Sequence, residues 1–76
     1  MMTNSLSVLD GTGDTRIEWN PSDPDEVEMA RKAFKAAKDK KMLIYKTRAD
    51  GSRAEQLREF DPHAERIIAT RQTVGG

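Results

Sequence analysis

Hydrophobic positions along this chain follow two periods. From Asp23 to Lys41, the residues Val27, Ala30, Phe34 and Ala37 recur at i, i+3, i+7 and i+10, which puts them on one narrow stripe of a helix. The start of that helix is marked chemically. Asp23 is a good N-cap, Pro24 suits the first helical position because its missing N–H needs no partner there, and Asp25 and Glu26 place negative charge at the positive end of the dipole. With Glu26 at the third helical position, the sequence predicts a capping box.

Elsewhere apolar and polar residues alternate over short runs, the period of strands. Met1 to Ser5 is polar and predicts a frayed end. Leu6, Val8 and Asp10 alternate with Ser7 and Leu9, and after the loop GTGD, Thr15, Ile17 and Trp19 alternate with Arg16 and Glu18, so the pair reads as a hairpin. Asn20, Pro21 and Ser22 break the second strand before the helix, because a proline cannot donate to a ladder. After the helix, MLIYKTR is rich in strand formers, and the Asp50-Gly51 turn leads into SRAEQLREF as a less regular returning arm, since Leu57 and Phe60 differ in parity. DPHAE repeats the cap-then-proline start and has room for one 3₁₀ turn. Arg66 to Gln72 is a last strand with apolar residues on both faces, Ile67 and Ala69 against Ile68 and Thr70, which predicts a central place in the sheet. The expected core is Val8, Ile17, Trp19, Val27, Ala30, Phe34, Leu43, Tyr45, Leu57, Phe60 and Ile67, with Trp19, Phe34 and Phe60 as an aromatic cluster.

Composition narrows the function classes. At 76 residues the chain makes a single domain, of a size that buries about 60% of its unfolded surface. Thirteen basic and thirteen acidic side chains cancel, so no global charge favours nucleic acid or an anionic membrane. There is no cysteine, hence no disulfide framework and no thiolate chemistry. No stretch approaches the ~20 apolar residues needed to span a bilayer, and a soluble, cytoplasmic protein is expected.

The order β-β-α-β-β-turn-β, the EVEMARKAF start of the helix, the LIYK strand after it, the Asp-Gly turn and the terminal Gly75-Gly76 together resemble the ubiquitin-like β-grasp family, from Leu6 onward. The resemblance implies an α+β fold, a ββαββ(3₁₀)β mixed sheet packed on one helix over residues 6–72, with a flexible C-terminal tail at 73–76. It implies a protein modifier or sulfur carrier. In that family a separate adenylating enzyme activates the C-terminal carboxylate with ATP and passes it to a thioester or thiocarboxylate, from which a modifier reaches its target through an isopeptide bond. On that reading Gly76 is the reacting group, Thr73, Val74 and Gly75 present it, and the chain holds no catalytic residue, metal or cofactor of its own. Two glycines without Cβ suit a tail that must thread a narrow crevice. In the family an exposed Ile on the post-helix strand anchors partner domains, and the matching residue is Ile44; where the family patch has a further aliphatic residue on the last strand, this chain has Thr70. A second expectation, from another class, is a small non-enzymatic adaptor that binds a protein through the same sheet face, with an inert tail.

Other groupings are accounted for by folding. Asp10-Gly11-Thr12-Gly13-Asp14 lacks the third glycine of a dinucleotide loop and the Gly-Lys-Ser/Thr of a phosphate loop, and it precedes a strand, so it reads as a turn. Asp61, His63 and Glu65 point different ways on a single turn, which argues against a metal or acid–base cluster. Asp23, Asp25, Glu26 and Glu28 lack the glycine-centred spacing of a calcium loop. Arg31, Lys32, Lys35, Lys38, Lys40 and Lys41 make the second half of the helix basic, but Glu28 with Lys32 and Lys35 with Asp39 form i,i+4 pairs, and base-stacking aromatics are scarce, so nucleic acid is a third and weaker expectation.

Overall fold

The computed structural model describes residues 3–10 and 13–71, and within them the chain runs β1 (Asn4–Asp10), β2 (Gly13–Trp19), α1 (Pro24–Asp39), β3 (Leu43–Thr47), β4 (Glu55–Gln56) and β5 (Arg66–Thr70). The five strands form one mixed sheet in the order β2-β1-β5-β3-β4. β5 lies between β1 and β3, parallel to the first and antiparallel to the second, while β2 pairs antiparallel with β1 and β4 with β3. The expected α+β class and central last strand are therefore both present. A parallel neighbour pair needs a crossover, and here everything between β1 and β5, α1 included, serves as that crossover.

α1 begins where its cap chemistry puts it. The Asp23 carboxylate accepts from the N–H groups of Asp25 (3.0 Å) and Glu26 (3.4 Å), two of the donors that a helix start leaves unpaired. The expected capping box is altered, because Glu26 reaches past the cap to accept from the Asn20 N–H at 2.8 Å and so fixes the chain arriving from β2. At the other end Lys41 donates to the Lys38 carbonyl and Met42 to that of Ala37, with Lys41 at φ 58° in the left-handed region. This is a Schellman closure built on lysine where glycine is usual.

One face of the sheet lies against α1. Ala30, Phe34 and Ala37 of the helix are buried against Leu6, Trp19, Ile44, Ile67 and Ala69, with Ala64 closing one end. Register explains the set. Residues directly opposite share a face, so Ile17, Leu6, Ile67 and Lys46 form one inward row and Val8, Ala69 and Ile44 the next. Trp19, fully buried, tilts against Phe60 at 5.4 Å between centroids, and Phe34 meets the same ring at 5.8 Å, so the expected aromatic cluster is present. Its indole N–H donates to the Pro62 carbonyl at 3.0 Å, and the Asn4 side-chain amide donates to the same oxygen at 3.0 Å.

Four expectations need correction. Asn4 and Ser5 are not frayed: both are buried in β1, and Ser5 N–H donates to the Glu65 carbonyl at 3.1 Å. DPHAE forms a turn and not a 3₁₀ helix, with Ala64 N–H on the Asp61 carbonyl and His63 N–H on the Asp61 carboxylate. β4 is two residues long, because Gly51 (φ 85°) and Arg53 (φ 56°) turn the chain away until Glu55. The core parity of β3 is reversed: Ile44 is inside, whereas Leu43 and Tyr45 lie on the far face with Thr70 and Ile68. A one-residue slip in strand phase moves every side chain to the other face.

Candidate functional site

With α1 on one side, the opposite face of the sheet is built from side chains of the other parity. Three cross-strand rows cover it. Asp14, Leu9, Thr70 and Leu43 form the first; Arg16, Ser7, Ile68, Tyr45 and Gln56 the second; Glu18, Ser5, Arg66 and Thr47 the third. The first two rows place Leu9, Leu43, Ile68 and Tyr45 together as an apolar strip across β1, β5 and β3. Leu9 is 39% exposed and the other three are half-buried by their strand neighbours. The rim is polar, and Arg16 and Glu18 pair at 3.5 Å along it. The open face thus has an apolar centre and a charged margin.

The expected site residues fall on and around this strip unequally. Thr70 sits in it, between Leu9 and Leu43, as the last residue of β5. Ile44 does not: at 3% exposure, opposite Ala69 and against the helix side, it is a core residue and cannot anchor a partner. Leu43 occupies the outward position instead, and Leu9, Ile68 and Tyr45 complete the strip. The sequence did carry a signal for this, since Ile68 and Thr70 share a phase opposite to Ile67 and Ala69; pairing β3 to β5 transfers that phase to Leu43. Thr73, Val74, Gly75 and Gly76 lie outside the described residues, as does Gln72.

The acidic groupings are engaged in structural contacts. Asp61 accepts from His63 N–H with one oxygen and pairs with Lys46 Nζ through the other at 3.3 Å, while Glu55 approaches the same ammonium at 3.9 Å. Lys46 points inward by parity at the end of the sheet, and these two carboxylates are what make that position tolerable. Glu65 accepts from Ala49 N–H at 2.7 Å, holding the β3–β4 loop. Asp50 accepts from the Ser52 hydroxyl and N–H, which lowers its pKa below the ordinary carboxylate value. Glu28 pairs with Arg31 and not with Lys32, and that hydrogen bond, helped by the nearby cations, lowers its pKa as well. Among the described residues no three histidine, aspartate or glutamate side chains are gathered as metal ligands, and no helix is long and apolar enough to cross a membrane.

Comparison with known proteins adds nothing to this geometry: no family model, curated protein or solved structure matches the chain.

Proposed function

We propose that this chain is a ubiquitin-like protein modifier or sulfur carrier of the β-grasp fold, acting in the cytoplasm through the carboxylate of Gly76. One observation carries the reading. β5 is the central strand, parallel to β1, so the chain leaves the sheet from its middle, at Thr70, beside the apolar strip of Leu9, Leu43 and Ile68. The di-glycine follows Arg71 after three residues, Gln72, Thr73 and Val74.

The chemistry divides between two proteins. A separate adenylating enzyme supplies ATP, and the Gly76 carboxylate attacks its α-phosphorus, forming an acyl adenylate and releasing pyrophosphate. A thiolate of that enzyme then displaces AMP to give a thioester. A lysine amine of a target attacks the thioester, forming an isopeptide bond and releasing the thiol; in a sulfur carrier, hydrosulfide attacks the acyl adenylate, breaking the acyl–phosphate bond, releasing AMP and leaving a thiocarboxylate for the acceptor. This chain contributes no acid or base to these steps. Its part is binding, for which the strip offers apolar area that a short tail lacks, and access, for which Gly75 and Gly76 offer backbone without Cβ.

The strip by itself also favours a second reading, an adaptor that binds a protein partner through Leu43, Ile68 and Leu9 with no use of the tail. ATP–pyrophosphate exchange separates the two. Incubated with candidate adenylating enzymes, the full chain should stimulate exchange and form a thioester or thiocarboxylate, and removal of Gly75 and Gly76 should abolish both. If no enzyme responds, and a partner binds equally well without the two glycines while Leu43→Asp prevents binding, the adaptor reading holds and the modifier reading fails.

A further inference from the structure

A second surface lies on the helix side, away from the open sheet face. α1 and the Glu59–Phe60 segment flank an open groove of about 620 Å³. Arg31, Lys35, Lys38 and Lys41 line it, and Phe34 and Phe60 form its floor. Lysine stems extend an apolar floor of this kind, and Lys35 and Lys41 are exposed residues. Dipole complementation accounts for Lys38 in the last turn and the Glu28 ion pair accounts for Arg31, which leaves Lys35 and Lys41 without a folding role of that kind. Lys38 donates to the Arg58 carbonyl at 2.9 Å, which holds the groove's two walls together without neutralising its charge. Among the described residues, neither Lys35 nor Lys41 has a carboxylate within ion-pair distance.

We propose that this groove docks an acidic peptide segment of a partner protein, with one apolar side chain seated on Phe60 and its flanking carboxylates on Lys35 and Lys41. Arg31 is paired with Glu28, and Lys35, Lys38 and Lys41 against Asp39 and Glu59 still leave the rim positive, which selects for negative charge. Two features favour a peptide over a nucleic acid strand. A strand of bases needs several open rings to stack on, and of the two rings lining the groove Phe34 is buried, which leaves Phe60 as a seat for a single side chain. A continuous phosphate backbone would also run past Asp39 and Glu59, whereas a peptide can place its carboxylates at intervals. The docking does not depend on the tail or on carboxylate activation.

The test uses the full chain against a phage-displayed library of random short peptides, followed by fluorescence anisotropy on the enriched sequences. Enriched peptides should carry aspartate or glutamate on both sides of a leucine or an aromatic residue. Lys35→Glu should weaken them at least about tenfold, a cost of ~1.4 kcal/mol, while Lys32→Glu, an equal charge change on the same helix outside the groove, should move affinity less than about twofold. Enrichment without acidic residues, equal losses in the two variants, unchanged affinity when the apolar anchor becomes serine, or tighter binding of oligouridylate in competition with the peptides would each overturn the proposal. Circular dichroism of both variants, both at exposed helical positions, confirms that they fold.

Discussion

Ile44→Ala should destabilise the domain by about 2–4 kcal/mol, because the side chain is lost from a packed interior and leaves a cavity. Leu43→Ala, one residue earlier and also aliphatic, should cost about 1 kcal/mol or less, as expected of a position outside the core. The contrast rests on face alone: Ile44 lies opposite Ala69 at 3% exposure, and Leu43 opposite Thr70 on the open side. Urea unfolding followed by circular dichroism measures both. Equal losses, or a larger loss at Leu43, would mean that β3 sits in the opposite phase. The same pair separates folding from recognition, since Leu43→Ala should weaken a partner that uses the open face while leaving the unfolding midpoint nearly in place.

Trp19→Ala should have the largest effect of any single substitution, about 3–5 kcal/mol. The indole is fully buried, packs on Phe60, and donates to the Pro62 carbonyl that Asn4 also uses. Its loss therefore loosens β2, the Phe60 segment and the turn before β5 together. In a domain of this size, total stability belongs near the lower end of the ~5–15 kcal/mol range, so the variant should be largely unfolded at room temperature. Trp19→Phe keeps ring packing and removes the donor, and should cost less. A thermal midpoint for Trp19→Ala close to that of the parent chain would show that the cluster is not the keystone of the core.

Local signals in the sequence were reliable where the physics is local. Asp23, Pro24 and the Val27–Ala37 stripe located α1 because cap and period are set by residues a few positions apart. Apolar residues on both faces of Arg66–Thr70 placed β5 in the middle of the sheet, since only a central strand loses solvent on both sides. The failures were non-local. Leu43, Ile44 and Tyr45 are consecutive apolar residues, so period 2 has two solutions, and the residue that would decide between them, Lys46, is a cation on the inward face. Its position is stabilised by Asp61 and Glu55, contacts that no local pattern exposes. Asn4 and Ser5 look frayed in isolation because their partners, Pro62 and Glu65, are about sixty residues away in the chain. Ala64 and Ala69 are buried although alanine carries little apolar weight in a pattern. The candidate site was displaced by that same phase error, from Ile44 to Leu43, while Thr70 stayed on the open face.

The central claim concerns Gly76, and mass spectrometry of proteins from source cells tests it most directly. Trypsin cleaves after Arg71, so the segment Gln72-Thr73-Val74-Gly75-Gly76 should be recovered either joined to the Nζ of a lysine in another protein or ending in a thiocarboxylate. Recovery of that segment only as a linear peptide with a free carboxylate, at a depth that detects the chain itself readily, would contradict the claim.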